Sequence, residues 1–445
     1  MNTIHYTIQT LATVVESLPI GTNLALYQFL WMLVSGALLA SRGALFPALQ
    51  AIGLGAAEVR RAWAAFRYGA WSINPMLQTW QTHIEEQGKW QAHQYAGYYV
   101  KAVDISAYWR PSAKRIKSKH YDAEADKALP AVVFGLVGRV GSVGEQRMAL
   151  MTNLLRADLT DPSEQALQTE LLEQVGMELA DDEIPVFDAG FKLKALYAAG
   201  LSRFVVRLAK NFAARRNVLP DSSGGRPPEY GVIVRPLPRT YDGHLIERTP
   251  PDHVETWQDQ GLEFRAEFWY NLVLRDSKVS AENQVFTVVA IYDPRFKEPW
   301  LLACPLKLKG PDYWGIYHDR WPIEQLPLAS KHMVGAHRQF VFAEESCYRL
   351  PELSLLAGSI QTYLAATLPP IPTGFWDRNP KRTPGRLRRL LARVTFSDLV
   401  LPEQGRIRKK ASATDHLPKG IRGHRRSKPP VPVWSRSFTS FSKEC

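Results

Sequence analysis

The stretch that decides the fold is IPVFDAGFKLKALYAAGLSRFVVRLAKN, residues 184–211. Its first seven residues, 184–190, are mostly apolar and predict a strand that Asp188 interrupts. A helix is predicted next, over Leu193–Ala199, and the apolar run 203–211 predicts another strand. A strand, a helix and a strand in this order are typical of an α/β domain.

The segments on either side of this stretch extend the same pattern. Toward the N-terminus, three apolar runs predict strands and one amphipathic run predicts a helix. Toward the C-terminus, a polar, proline-containing and strand-like region precedes two further helical segments. The predicted strands are 98–106, 128–140 and 145–155; the predicted helices are 162–179, 317–335 and 351–369, the last packing behind the one before it. The predicted order is a helical domain (1–95), the first part of an α/β core (96–211), a β-rich insertion (212–300), the last part of the core (301–375) and a basic flexible tail (376–445).

Within the helical domain, ALFPALQAIGLGAAEVRRAWAAFRYGAW (44–71) predicts two helices around a glycine turn. This spacing is that of a helix-turn-helix, whose second helix would present Arg60 and Arg61 to a DNA major groove while Phe66 is buried. Two amphipathic helices around a glycine also occur in proteins that never bind DNA. The DNA-binding role of this segment is therefore a hypothesis.

The positive charge of the chain is concentrated at its C-terminal end. The whole chain has a net charge of +12, and residues 376–445 alone contain 18 Lys and Arg against 5 Asp and Glu. Proline and glycine interrupt this region, which predicts a mobile polycationic arm. Such an arm suits sequence-independent binding to nucleic-acid phosphates, although a solubilising terminus would have the same composition.

Cysteine content and hydropathy narrow the classes of protein. Three cysteines without a CxxC pair support neither a disulfide framework nor a structural zinc site, and a reducing, cytoplasmic location is the simplest interpretation. The longest apolar run, 25–40, has 16 residues. It is shorter than the roughly 20 residues that cross a bilayer, so we expect a buried helix and no membrane partner.

Three acidic residues are candidates for catalysis. Asp104 and Asp188 interrupt apolar strands, where an ionised carboxylate is costly unless it is paired or binds a metal. Glu324 lies in a predicted helix. Each acid alone has a structural interpretation, at a strand end or on an exposed helix face. Together in one cleft, the three carboxylates would hold two divalent ions for phosphodiester chemistry.

The residues around Glu324 form a more specific pattern. Tyr317, Arg320, Glu324 and Lys331 are spaced by three, four and seven residues, so on a continuous helix they share one face. The two cations would hold a phosphate while the carboxylate reaches a metal ion. A solvated salt-bridge face is the alternative. Pro327 lies between Glu324 and Lys331 and predicts a kink.

This Tyr-x2-Arg-x3-Glu-x6-Lys pattern resembles that of a large class of bacterial insertion-sequence DDE transposases, and the resemblance extends over about residues 96–370. Asp188, in Asp-Ala-Gly-Phe, resembles the second aspartate of these enzymes, and Asp104 resembles the first. The resemblance implies an RNase H-like core in which Asp104, Asp188 and Glu324 ligate two Mg²⁺ or Mn²⁺ ions. It also implies that Tyr317, Arg320 and Lys331 hold a DNA end phosphate.

Four further residues are implied to contact DNA. Trp321 is a candidate to stack on a flipped base at the element end, with Trp300 as a second candidate for the same step. Arg207 and Lys210 are candidate phosphate contacts. The alternatives are a core position for Trp321 and an ordinary cationic surface strand for Arg207 and Lys210.

The reaction implied is hydrolysis at the 3′ ends of the element, followed by attack of the freed 3′-OH on target DNA. Hairpin formation at the flanking DNA is implied by the same resemblance. The partners would be double-stranded DNA, as terminal inverted repeats and target, and a second copy of the chain in the synaptic complex. Two alternatives remain: a non-catalytic DNA-binding protein derived from a transposase, and a metal-dependent nuclease of the same fold.

Overall fold

The first part of the chain is helical. In the computed structural model, which describes residues 3–221, 227–396 and 407–409, six helices precede the first strand. Their bounds are α1 Thr3–Glu16, α2 Thr22–Val34, α3 Ala37–Ala40, α4 Leu45–Ala51, α5 Ala56–Tyr68 and α6 Ile73–Gln87. The two helices and the glycine turn predicted within 44–71 are α4 and α5, and the Glu58 carboxylate caps α5 by accepting from the Gly55 N–H at 2.9 Å.

The apolar run 25–40 is a buried helix that breaks near its end. Residues 25–34 of α2 are all buried, which confirms the prediction over this range. At Gly36 the backbone has φ 76°, a left-handed conformation that favours glycine, and the chain turns into the short α3. Within the described ranges, no helix combines the length and the apolar character needed to cross a membrane.

The strand–helix–strand unit lies in the middle of a large mixed sheet. Five strands of this sheet are neighbours in the order β6 (Gln146–Arg156), β5 (Lys127–Val143), β3 (Tyr98–Trp109), β7 (Glu183–Phe187) and β8 (Val205–Arg207), the last two being the strands of the unit. Strand β5 is antiparallel to both β3 and β6, whereas β7 and β8 run parallel to β3. The elements predicted over 98–211 are all present, the last strand being shorter than expected. Their bounds are β1 Trp90–Ala92, β2 Gln94–Tyr95, β3 Tyr98–Trp109, β4 Lys119–Asp122, β5 Lys127–Val143, β6 Gln146–Arg156, α7 Gln165–Glu178, β7 Glu183–Phe187, α8 Leu193–Ala198 and β8 Val205–Arg207.

The region predicted as a β-rich insertion extends this sheet. Strand β16 (Trp300–Cys304), at the end of this region, pairs antiparallel with β8. The strands that follow in the sheet are β15 (Phe286–Tyr292), β14 (Leu262–Leu274), β9 (Ala214–Arg216) and β10 (Ile233–Val234), so the region adds strands to one edge of the core. The hairpin of β11 and β12 is separate from the sheet. The bounds are β9 Ala214–Arg216, β10 Ile233–Val234, β11 Arg239–Tyr241, β12 His244–Ile246, β13 His253–Asp259, β14 Leu262–Leu274, β15 Phe286–Tyr292 and β16 Trp300–Cys304.

Helices cover both faces of the sheet. Successive residues of a strand point to opposite faces, and β3 illustrates the two resulting cores. Ala102 and Tyr108 pack with the N-terminal helices and with the helices after β16. Val103 and Ala107 pack with α7 and α8. The first of these cores joins the helical N-terminal region to the sheet.

The helical segment expected over 317–335 consists of three pieces. The change of helix type after Pro327 agrees with the kink predicted there, whereas the break before Trp321 is a second one that the pattern did not predict. The chain turns at Asp319 and Arg320, and a π-helix follows Pro327, which lacks the N–H that an α-helix needs in its interior. A long helix then packs behind the π-helix, as predicted. The bounds are α9 Gly310–His318, α10 Trp321–Leu328, the π-helix Ala329–Val334 and α11 Glu344–Thr367.

The predicted flexible tail contains a docked helix, α12 Pro384–Leu391. Thr383 caps this helix, and Leu387 and Leu391 are fully buried against α11 and its surroundings. Leu387 and Leu391 are four residues apart and form one apolar face of the helix, which a prediction based on the number of charged residues does not detect. This part of the tail is therefore wrongly predicted as a mobile arm. Residues 397–406 and 410–445, on which the rest of that prediction depends, lie outside the described residues.

Candidate active site

Asp104 and Asp188 lie side by side on adjacent parallel strands. The register pairs Ala102 of β3 with Val186 of β7, and each aspartate is two residues further along its chain. Neighbouring strands are about 4.8 Å apart, and residues in register point to the same face. Asp188 lies directly after β7, which ends at Phe187. Its carboxylate accepts the Gly190 N–H at 2.9 Å and so begins the Asp-Ala-Gly turn that follows the strand.

Arg207 continues this row on the next strand. Phe187 pairs with Val206, so the residue after each pair brings Asp188 beside Arg207. The Arg207 guanidinium donates to the Tyr317 hydroxyl at 3.3 Å and lies 5.9 Å from the centre of that ring. The sheet thus aligns two carboxylates and one cation, and α9 places a buried phenol next to the cation.

Glu324 approaches the row from α10. Gly138 of β5 permits the close approach of this helix, since an added Cβ there would lie 2.8 Å from Ile323 Cδ1. Arg320 donates to the Glu324 carboxylate at 2.6 Å. The Arg320 side chain is largely buried, and its Nε and Nη1 atoms have no hydrogen-bond partner among the described residues. A buried guanidinium with two free donors is suited to an anionic ligand.

Asp104 is strongly affected by its burial and by the charges around it. Burial raises the pKa of Asp104 to about 7, Arg320 opposes this rise, and the charges of Asp188 and Glu324 add to it. Burial lowers the pKa of Lys331 to about 8, while the charge of Asp104 works in the opposite direction. The Lys331 ammonium lies 4.8 Å from the ring centre of Trp109. Asp104 is therefore the centre of the cluster.

The residues of this cluster fit a hard divalent cation in chemistry. Asp104, Asp188 and Glu324 offer only oxygen ligands, which Mg²⁺ and Mn²⁺ prefer. Burial is the main cause of the raised pKa of Asp104, and a cation bound beside the carboxylate would favour its ionised form. In the described part of the chain, no three His, Cys, Asp or Glu side chains are arranged closely enough to hold a metal ion. Ligation by all three acids therefore requires their side chains to come closer together than they lie in this structure.

Aromatic side chains line the side of the cluster formed by α9 and the segment before β16. Trp300 is buried, and its ring is 5.1 Å from that of Tyr317 and 5.3 Å from that of Phe296. Trp321 is 44% exposed, with its ring 6.2 Å from Phe296. Trp321 is thus accessible to a base, whereas Trp300 is a core residue. Phe296, 40% exposed, is the accessible partner that the sequence reasoning missed.

Other candidate residues lie outside the cluster. Lys210 is exposed and forms an ion pair with Glu298. Arg60 and Arg61 are exposed on α5, and Arg61 lies 4.0 Å from Glu58. The structure therefore groups Asp104, Asp188, Arg207, Tyr317, Arg320, Glu324 and Lys331, with Trp321 at the rim. Lys210 and the two α5 arginines are separate from them.

Sequence reasoning also missed a buried network that holds the turn between α9 and α10. Asp319 is fully buried and accepts from Tyr95 at 3.1 Å, lies 2.7 Å from His93 Nδ1 and pairs with Arg147. Because Asp319 directly precedes Arg320, this network fixes the position of the arginine. In the sequence, the only signal of this network is Asp319, the acid that directly precedes Arg320 in Tyr-His-Asp-Arg (317–320).

No protein-family model matches the chain, and a search of curated proteins finds no similar sequence. The functional interpretation therefore depends on the geometry above and on the residue pattern that predicted it.

Proposed function

We propose that the chain is the DNA transposase of an insertion sequence, with an RNase H-like catalytic core. The observation that carries this proposal is the row of Asp104, Asp188 and Arg207, with Glu324 and Arg320 brought against it by α10. The strand order β6-β5-β3-β7-β8, with the first three strands antiparallel and the last two parallel to β3, supports the assignment of the core.

In this proposal, Asp104, Asp188 and Glu324 hold two Mg²⁺ or Mn²⁺ ions. When bound, these ions supply activation of the attacking oxygen and stabilisation of the leaving oxygen of a phosphodiester. Arg320, with two free buried donors, and Arg207 bind the phosphate of the DNA end. Trp321 supplies an accessible ring for an unstacked base.

The chain's own groups orient the reaction. Tyr317, bonded to Arg207, limits where that guanidinium can reach. Lys331, held over the Tyr108 and Trp109 rings, places a cation beside Asp104. The first step is hydrolysis, in which water attacks the phosphorus and a 3′-OH leaves. In the second step, the freed 3′-OH loses its proton and attacks the phosphorus of a target phosphodiester, whose bond to the target 3′ oxygen breaks so that a target 3′-OH leaves.

The proposal is tested with a duplex that carries the element's own end, in the presence of Mg²⁺ or Mn²⁺. The wild type is expected to nick it and leave a 3′-OH. Asp188→Asn should abolish nicking and leave binding to the duplex nearly intact, because it removes a metal ligand and no phosphate contact. Glu298→Gln, outside the cluster, is the matched control and should nick normally.

The outcomes separate the alternatives. A wild type that binds the end specifically and never nicks it would favour a non-catalytic DNA-binding protein. A wild type that nicks without joining the 3′-OH to a second duplex would favour a nuclease. Nicking by Asp188→Asn at the wild-type rate would contradict the proposed cluster.

A further inference from the structure

A surface that no part of the proposed catalytic cluster uses lies at the end of β3. The loop 110–118 follows this strand, and with the first residue of β4 it presents four exposed cations: Lys114, Arg115, Lys117 and Lys119. None of the four forms an ion pair with any described residue. Buried Ile116 anchors the loop, and the Lys117 and Ser118 N–H groups both donate to the Leu159 carbonyl. The cations are therefore displayed on a fixed backbone.

A second segment beside this loop presents aromatic rings. Between the π-helix and α11, Phe340 is 60% exposed and Phe342 is 68% exposed, while Gln339 and Val341 between and beside them are buried. Alternate burial of this kind directs the two phenylalanines to the same side of an extended chain. Arg338 and His337, directly before them, are also exposed.

Arg110 joins the two segments. Its guanidinium donates to the Val341 carbonyl at 2.6 Å and to the Gln339 side chain at 3.2 Å, and it lies 5.7 Å from the Phe342 ring centre. Arg110 itself is buried. The four cations (Lys114, Arg115, Lys117 and Lys119) and the rings of Phe340 and Phe342 thus belong to one surface, which we call the β3-end surface.

Lys331 lies between the β3-end surface and the proposed catalytic cluster. Asp104 and Arg110 are six residues apart on β3 and its end, or about 20 Å along an extended chain. Lys331 lies within this distance, because its ammonium is over the rings of Trp109 and Tyr108 and, while burial lowers its pKa, the charge of Asp104 raises it. A polyanion bound on this surface would therefore extend into the cluster.

We infer that the β3-end surface binds the target DNA duplex during strand transfer. This inference rests on the proposed function. Four unpaired cations complement a phosphate backbone, and exposed rings suit insertion between base steps, which bends a duplex. The exposed groups carry charge and apolar area, so recognition is expected to depend little on base sequence, as a target surface requires. Acids at the β4–β5 turn, Asp122, Glu124 and Asp126, bound the surface on one side.

The test compares two pairs of variants of the full chain. Lys114→Ala/Arg115→Ala removes two cations from the surface, and Phe340→Ala/Phe342→Ala removes its rings. Arg275→Ala/Lys278→Ala is the matched control, since these exposed cations follow β14, five strands away from β3 in the sheet. Each protein is assayed for binding to a scrambled duplex at several salt concentrations, for nicking of the element end, and for joining of a precut end to a plasmid.

The cation variant is expected to lower the slope of log K against log salt by about 1.8, because each lost phosphate contact removes about 0.9. Joining should fall about tenfold in both surface variants, with nicking and the control unchanged. Equal losses of nicking and joining, or a cation variant that binds like the control, would overturn the inference. A wild type that neither nicks nor joins DNA would instead refute the proposed function, and the target role with it.

Discussion

At the scale of single residues, Asp104 carries the largest electrostatic cost in the cluster. It lies partly buried in mid-strand, with two other carboxylates near it and Arg320 as the compensating cation. An acid in this position destabilises the fold unless a cation binds, because the ionised form loses hydration and meets like charges. Retaining it therefore makes sense if its role is ligation.

Replacing this acid should stabilise the fold at high pH. The folded pKa of Asp104 is about 7, above the unfolded value of about 3.9, so the folded state binds more protons between these values and its stability falls as pH rises. Asp104→Asn removes this penalty. We expect the variant to gain about 4 kcal/mol in free energy of unfolding at pH 8 and much less at pH 4, measured by urea denaturation without divalent cations.

Asp312→Asn is the control for this measurement, because that acid lies in the first turn of α9, outside the cluster. A gain for Asp104→Asn that is the same at pH 4 and pH 8 would contradict the electrostatic explanation.

At the scale of elements, the approach of α9 to the β2 segment positions Arg320. An added Cβ at Gly315 would lie 2.2 Å from the Tyr95 ring, and Tyr95 is bonded to Asp319, so the ring has little freedom to move away. The close packing of α9 against the Tyr95 ring thus requires a glycine at position 315. The turn between α9 and α10, which contains Asp319, depends on the same contact.

We expect Gly315→Ala to destabilise the protein by about 2 kcal/mol, because overpacking forces a backbone shift or breaks the Tyr95–Asp319 bond. Gly55→Ala is the control, since a Cβ there meets only Glu58 at 3.6 Å and should cost about 1 kcal/mol or less. Thermal unfolding measures both. If the Gly315→Ala/Tyr95→Ala double variant loses the sum of the two single losses, the contact is not the cause.

Sequence patterns predicted the core elements because their causes are local. The apolar runs around Asp104 and Asp188 set the strands. The strand predicted over 184–190 nevertheless continues past Asp188, whereas β7 ends at Phe187. Pairing of β7 with β3, which brings the two acids together, depends on long-range register that no local pattern contains. The same holds for α12, whose burial depends on α11, and for Trp300, whose burial depends on Phe296 and Tyr317.

At the scale of the whole molecule, the N-terminal helices share a core with the sheet and with the helices after β16. Trp80 donates to the Ser359 hydroxyl at 3.1 Å, and Gln361 donates to the Val34 carbonyl at 2.9 Å. Arg349 of α11 donates to the carbonyls of Phe66 and Gly69 at the end of α5, at 2.7 and 2.9 Å. Buried bonds of this kind couple the two regions.

We therefore expect residues 1–95 to fail to fold alone and the full chain to lose both regions in one calorimetric transition. Arg349→Met should destabilise that single transition by about 3 kcal/mol, because buried carbonyls lose a charged donor. Arg389→Met is the control, since Arg389 is exposed and, among the described residues, donates a hydrogen bond only to the Gly385 carbonyl of its own helix. Two separated transitions in the wild type would contradict this coupling.

The central claim is that Asp104, Asp188 and Glu324 form one cation site for phosphodiester chemistry. The most direct measurement is a Mn²⁺ titration, followed by electron paramagnetic resonance, of the protein bound to a duplex carrying the element's end. The wild type should bind two Mn²⁺ per chain, Asp104→Asn and Asp188→Asn should each lose this binding, and Glu298→Gln should retain it. Mn²⁺ binding that is the same in all four proteins would contradict the claim.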